Sequence, residues 1–233
     1  MQIFQKRQKV TPGAPDKEHA QPLTKVGVVG GGLMARQFAL EIVRRLEVPV
    51  VISDISRERV DAATEWMRDE LSTLHHKGRL HTDQLQKLSA LIEGATDMAA
   101  FSDCDLVIEA VFEELSVKQQ VFTELERHVR EDAILASNTS SLAIADIASA
   151  LKHPSRMVGI HFFNPVAVMP LVEVVAAELS SDAAVATAVS AVRKLRKTPI
   201  VTADSTGFVV NRLLAKLLGE AMHAIERGTP YEV

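Results

Sequence analysis

Apolar and polar positions along the chain fall into two regimes. Over residues 1–24 there is no period: Pro12, Gly13, Pro15 and Pro22 stand among charges, and such residues interrupt helical and extended patterns alike. This stretch reads as a linker or arm, with at most a helical tail over residues 1–9. From Lys25 the pattern is regular. The apolar run 25–30 (KVGVVG) predicts a strand. Leu33, Ala35, Phe38, Ile42 and Leu46 recur at helical spacing and predict a helix over 32–46. A second apolar run, 48–53, predicts a strand closed by Asp54. Strand, helix and strand within about 30 residues make a βαβ unit with a right-handed crossover.

Residues 56–74 and 82–91 have a helical period but carry many charges, and 75–80, with Gly78, turns between them. They predict a helical hairpin that projects rather than lying wholly in the core. Strand patterns resume weakly at 91–95 and strongly at 105–110 (DLVIEA) and 133–137, continuous runs of the kind central parallel strands show. A helix is predicted between them at 115–129. Further strands follow at 156–162, 171–176 and 199–202, with an Ala-rich helix over 181–197. Residues 207–227 then form one long amphipathic pattern, the start of a second, helical region.

Composition narrows the class without changing the layout. With 47% hydrophobic and 24% charged residues the chain is an ordinary soluble globular protein. A net charge of −4 offers no basic footprint for nucleic acid. The single cysteine, Cys104, excludes an internal disulfide framework and a Cys-cluster metal site, and reads as a buried small apolar residue. No apolar run reaches the roughly 18 residues of a membrane span, and the N-terminus lacks the apolar core of a secretory signal. A cytoplasmic location is expected.

The first chemistry-bearing motif is Gly30-Gly31-Gly32-Leu33-Met34-Ala35, which fits G-x-G-x-x-(G/A) between a strand and a helix. Gly30 permits the tight turn, Gly32 lets backbone N–H groups approach a pyrophosphate, and the small Ala35 allows close helix–strand packing. Asp54, about 20 residues on at the end of the next strand, suits a ribose 2′-hydroxyl and repels a 2′-phosphate, so NAD is favoured over NADP. Arg57 and Arg59 nearby soften that choice. The fold class expected is α/β: a Rossmann-like parallel sheet with a helical hairpin insertion, followed by the start of an all-helical region.

His161 stands at the C-terminal end of an apolar strand and precedes Phe162-Phe163-Asn164-Pro165; ligands of open parallel sheets bind beyond such ends. A lone His in such a place serves equally as a structural group. Glu173 lies inside the apolar run 169–177, where a carboxylate is costly unless paired. An imidazole is its natural partner, and together they make a general base. Ser137-Asn138-Thr139-Ser140-Ser141 closes another strand, with Asn138 and Ser140 as ligand contacts and Ser141 as the cap of the next helix. Asn211, an amide early on the last helix, needs a partner. Glu113 and Lys118 border a strand end, as cofactor contacts or as ordinary helix-start charges. His75, His76 and His81 cluster on the hairpin without a spacing that suits a metal, and no metal site is expected.

Together these segments resemble the L-3-hydroxyacyl-CoA dehydrogenase family of fatty-acid β-oxidation. The similar blocks are VGVVGGGLMA (26–35), IEAVFEELSVKQQVF (108–122), SNTSSL (137–142), GIHFFNPVAVMPLVEVV (159–175) and DSTGFVVNRLL (204–214). The resemblance implies NAD as cofactor and acyl-CoA as substrate. It implies that His161 is the catalytic base, that Glu173 is its partner, and that Ser140 and Asn211 hold the substrate's 3-oxygen or order the site around it. It assigns cofactor contacts to Gly30, Gly32, Leu33, Met34, Asp54, Val111, Glu113, Lys118, Ser140 and Asn164, and a CoA phosphate to Lys77. Ala35 stands where many members have Gly.

The segment before Val26 resembles the linker ahead of the dehydrogenase part in fused multifunctional chains. There a hydratase domain lies upstream, and the parent is a homodimer or part of a complex with hydratase and thiolase activities. The expected division is an arm over 1–24, an NAD-binding domain over 25–203 and the first helix of a helical domain over 204–233, cut from a longer protein. Two other readings stay open: a fragment that binds NAD without catalysis, and another Rossmann β-hydroxyacid dehydrogenase.

Overall fold

The computed structural model describes residues 11–230; the helical tail expected over 1–9 lies outside them. The βαβ unit is formed by β1 (Val26–Val29), α1 (Leu33–Leu46) and β2 (Val50–Ser53). The hairpin is α2 (Arg57–His76) and α3 (Thr82–Ala90), and it leads into β3 (Ile92–Ala95). Then come β4 (Leu106–Glu109), α4 (Leu115–His128), β5 (Ile134–Ser137) and a short α5 (Ile144–Ala148). The chain continues through β6 (Met157–Phe162), β7 (Leu171–Ala176), α6 (Asp182–Lys194), β8 (Thr198–Ala203) and α7 (Val210–Glu226).

The strands form one sheet in the order β3-β2-β1-β4-β5-β6-β7-β8. The chain leaves β1 toward β2 and β3, then returns to β4 on the other side. Those two directions open a crevice beyond the carboxyl ends of β1 and β4. Val26, Val28 and Ile52 bury into one apolar cluster with α1, α2 and α6, whereas Val29 and Val51 bury into another with α4 and α5. Both faces are covered, so the central strands read as unbroken apolar runs. On α1, Ala35, Phe38, Ala39 and Ile42 recur on the inner face, and the Phe38 ring stacks on Phe162 of β6 at 5.2 Å.

Four details differ from expectation. The sheet is mostly, not wholly, parallel: β7 pairs antiparallel with β6, and β8 follows β7. The hairpin does not simply project, because α2 buries Val60, Ala63, Met67 and Leu71 while α3 buries only Leu88. The segment 11–24 is docked rather than loose. The Gln21 N–H donates to Thr187 Oγ1 of α6, and the Thr24 hydroxyl and Lys25 N–H donate to Asp105. Ser141 does not cap α5; that helix starts three residues past it, and the Asp204 carboxylate accepts from the Ile144 and Ala145 N–H groups. On α7, Leu213, Leu214, Leu217, Leu218 and Met222 stand exposed. Among the described residues no helix is long and apolar enough to cross a membrane.

Candidate active site

Two clefts meet at Ala110 and Val111, beyond the end of β4. The first, about 300 Å³, is bordered by Gly30–Gly32, Asp54, Arg59 and Phe112. Gly30 must be glycine on two counts. Its φ is +110°, and a Cβ there would sit 2.6 Å from the Ala110 carbonyl oxygen. Gly32 caps α1 with no side-chain hydrogen bond, and a Cβ built on it meets nothing within 4 Å. The first N–H groups of α1 therefore open onto free space, which suits a pyrophosphate. Asp54 Oδ2 accepts from the Gly31 N–H at 2.9 Å, which holds the carboxylate beside the glycine loop. Arg59 Nη1 lies 4.0 Å from its other oxygen. These residues fit a dinucleotide.

The second cleft, about 400 Å³, is bordered by Met34, Glu113, Asn138, Ser140, His161, Asn164 and Asn211. His161 and Glu173 are direct cross-strand partners in the β6–β7 pair, so their side chains share one face. His161 Nδ1 lies 2.8 Å from Glu173 Oε2, while Glu173 Oε1 accepts from the Val209 and Val210 N–H groups at the start of α7. Burial pushes the Glu173 carboxyl up, but these hydrogen bonds outweigh it and hold it below its ordinary value. Nδ1 is the ring atom committed to the carboxylate, so Nε2 is left for a ligand; it makes no hydrogen bond to any described residue. The rings of Phe163 and Phe208 flank the imidazole at 4.5 and 5.8 Å.

A buried ionic group underlies both clefts. Lys118, with 1% of its side chain exposed, donates to Glu109 Oε1 at 2.7 Å and lies 3.2 Å from Glu113. Glu109 also accepts from the Val111 N–H and the Ser137 hydroxyl. Glu113 Oε1 accepts from the Thr139 hydroxyl at 2.6 Å, the Ser140 N–H at 2.7 Å and the Ser140 hydroxyl at 3.1 Å. Burial raises the Glu113 carboxyl, yet these donors and Lys118 hold it down at about 2. A carboxyl depressed on folding from its ordinary 4.5 stabilises the fold fully above that value and loses the contribution as pH falls toward 2. Glu113→Gln should therefore flatten the fall in melting temperature between about pH 4.5 and 2. An unchanged acid limb would show that Glu113 is no anchor.

The structure thus brings together His161, Glu173, Ser140, Asn211, Glu113, Asn164, Met34 and Val111. Leu33 is exposed on the first turn of α1, beside the glycine loop. Asn211 Nδ2 donates to the Ser140 carbonyl at 3.0 Å, joining α7 to the serine loop. Lys118, almost wholly buried, also lines the second cleft, 3.2 Å from Glu113. Lys77 is not brought in: it is exposed at the C-cap of α2 and borders neither cleft. His75 and His76 bind the backbone carbonyls of Leu80 and Ser72, and the described residues hold no metal-ligating cluster. Cys104 is buried, which pushes its thiol up to about 12. Glu109 and Phe208 were not expected. Glu109 carries the signal that revealed Glu173, an acid inside an apolar run, and Phe208 carries none.

A glycine turn at the sheet's switch point, an acid after the second strand and an imidazole–carboxylate pair next door define an oxidoreductase of the nicotinamide-dinucleotide class. The family model for the 3-hydroxyacyl-CoA dehydrogenase NAD-binding domain matches residues 25–205, and the chain belongs to that family of NAD-dependent enzymes. M. tuberculosis FadB2 is 37% identical, with a TM-score of 0.83 over 91% of this chain and 75% of its own. (S)-3-hydroxybutyryl-CoA dehydrogenase PaaH1 from Ralstonia eutropha is 34% identical, with a TM-score of 0.86 over the same shares. The dehydrogenase part of multifunctional enzyme 1 from C. elegans is 30% identical, with a TM-score of 0.71 over 88% of this chain and 47% of that one.

Proposed function

We propose that this chain oxidises (S)-3-hydroxyacyl-CoA to 3-oxoacyl-CoA with NAD, a step of fatty-acid β-oxidation, and that His161 is the general base. The observation that carries the reading is the 2.8 Å His161–Glu173 bond, in a cleft continuous with the one behind the glycine loop. With Nδ1–H held by Glu173, the imidazole takes the substrate's hydroxyl proton at Nε2, and the carboxylate stabilises the imidazolium that results. NAD, when bound, accepts the hydride from the same carbon. Ser140 and Asn211 border the oxygen's position, and the α1 N-terminus takes the pyrophosphate. Asp54 receives the adenosine ribose, and the exposed Ile55 and Phe112 side chains suit a flat base.

On this reading residues 25–203 form the NAD-binding domain and 204–233 open a helical one. PaaH1 is named for a 3-hydroxybutyryl-CoA and the C. elegans protein for a multifunctional chain. An acyl-CoA substrate and a larger multienzyme parent follow by analogy. The test is reduction of acetoacetyl-CoA, followed by loss of NADH absorbance. NADH should be preferred over NADPH by at least about tenfold, because a 2′-phosphate would meet the Asp54 carboxylate, and Asp54→Ala should narrow that preference. NADH binding without turnover would reduce the assignment to a dinucleotide-binding module.

A further inference from the structure

Gln37 lies on α1, one turn past the glycine loop, and has no part in the site as described above. Its side chain reaches the connection between β6, which carries His161, and β7, which carries Glu173. Gln37 Oε1 accepts from the Val166 N–H at 2.8 Å, and Gln37 Nε2 donates to Asn164 Oδ1 at 3.2 Å.

The direction of this relay is fixed at its backbone end. An N–H only donates, so the Gln37 atom facing Val166 is the oxygen. The Gln37 amino group then faces Asn164, and the Asn164 atom that meets it must accept. Asn164 is left with Nδ2, which bonds to no described residue, and Asn164 lines the cleft that holds His161. Val166 is well anchored. Its side chain is fully buried, and the Lys197 ammonium donates to the carbonyls of Val166 and Met169. Asn138 is oriented by the same logic: its Oδ1 accepts from the Phe162 N–H at 3.0 Å, which leaves Nδ2 for the cleft.

We propose that Gln37 is a positioning residue that sets Asn164 as a hydrogen-bond donor toward the cleft, where it recognises an oxygen acceptor on the dinucleotide. The same amide binds the helix behind the glycine loop to the connection between the two dyad residues, so cofactor and base are placed by one rigid unit. This rests on the reading of the clefts as an NAD site.

The test compares NADH dissociation constants, from NADH fluorescence, for the wild-type protein, Gln37→Glu, Asn164→Ala and the double variant. The introduced carboxylate keeps the bond from Val166 but has no proton for Asn164. The Asn164 amide therefore turns over and points Oδ1 into the cleft. Gln37→Glu should raise Kd and KM for NADH about tenfold, with kcat within about threefold and the melting temperature nearly unchanged. The double variant should bind no more weakly than Asn164→Ala alone, because without Asn164 the relay has nothing to orient. An unaltered Kd in Gln37→Glu, or losses that multiply in the double variant, would overturn the proposal while leaving the cofactor reading intact. Failure of the wild-type protein to bind NADH would overturn both.

Discussion

Glu173→Gln should lower kcat for 3-hydroxyacyl-CoA oxidation about 10³-fold or more while the protein stays folded and binds NADH as before. The argument is about a tautomer. Two backbone N–H groups, from Val209 and Val210, point at Glu173 Oε1. In the variant they require the amide oxygen on that side, so the amino group faces His161 Nδ1. Nδ1 must then accept, and the ring proton moves to Nε2, the atom that has to take the substrate's proton. The cap on α7 survives, so the cost in stability should be only about 1 kcal/mol. His161→Gln sets the floor for the comparison, and Glu173→Gln should lie near it. A kcat within about threefold of wild type would remove Glu173 from the proposed mechanism, and steady-state kinetics beside a melting curve decides it.

The dyad was legible because a carboxylate in an apolar strand demands a partner, and the partner type follows from chemistry. The same demand was present at Glu109 inside DLVIEA, the last residue of a central strand. Its partner, Lys118, sits one helix later, so a strand-by-strand reading leaves both as ordinary charges. Gln37 was beyond reach. A glutamine in a helix looks like a surface residue, and its partners lie 127 and 129 residues away.

The fold shows a similar division. Strands buried on both faces announce themselves as apolar runs, and the order of elements follows from them. Direction does not, because an apolar run has none. The antiparallel β7 had one sequence signal: the connection after β6 is shorter than the dozen or more residues a parallel crossover needs. The docking of the arm and the cap of α5 had none. The acceptors on Thr187 and Asp105 that hold residues 21–25 are remote in sequence. The cap of α5 comes from Asp204, 60 residues on, whereas Ser141 turns to Glu113. Local spacing cannot choose between a near serine and a distant aspartate.

Lys118→Met should destabilise the protein by about 3–5 kcal/mol, the range expected when one partner of a buried ion pair is removed. For a chain of this size that corresponds to a fall in melting temperature of roughly 6–20 °C. The cause is the charge left behind. Glu109 is fully buried at the end of β4, and without the ammonium it keeps only the Val111 N–H and the Ser137 hydroxyl. Glu113 loses its cation too, while still gathering the donors of the serine loop. If burial of an unpaired carboxylate is the mechanism, neutralising it should recover stability. Glu109→Gln leaves an oxygen for the Val111 N–H and an amino group that the Ser137 hydroxyl can accept. Lys118→Met with Glu109→Gln should therefore regain at least about half of the loss, although it removes one more native charge. Additive losses in the double variant would mean that the packing of the lysine stem, not its charge, holds this corner. The ionic floor beneath the two clefts would then be incidental to the site above it.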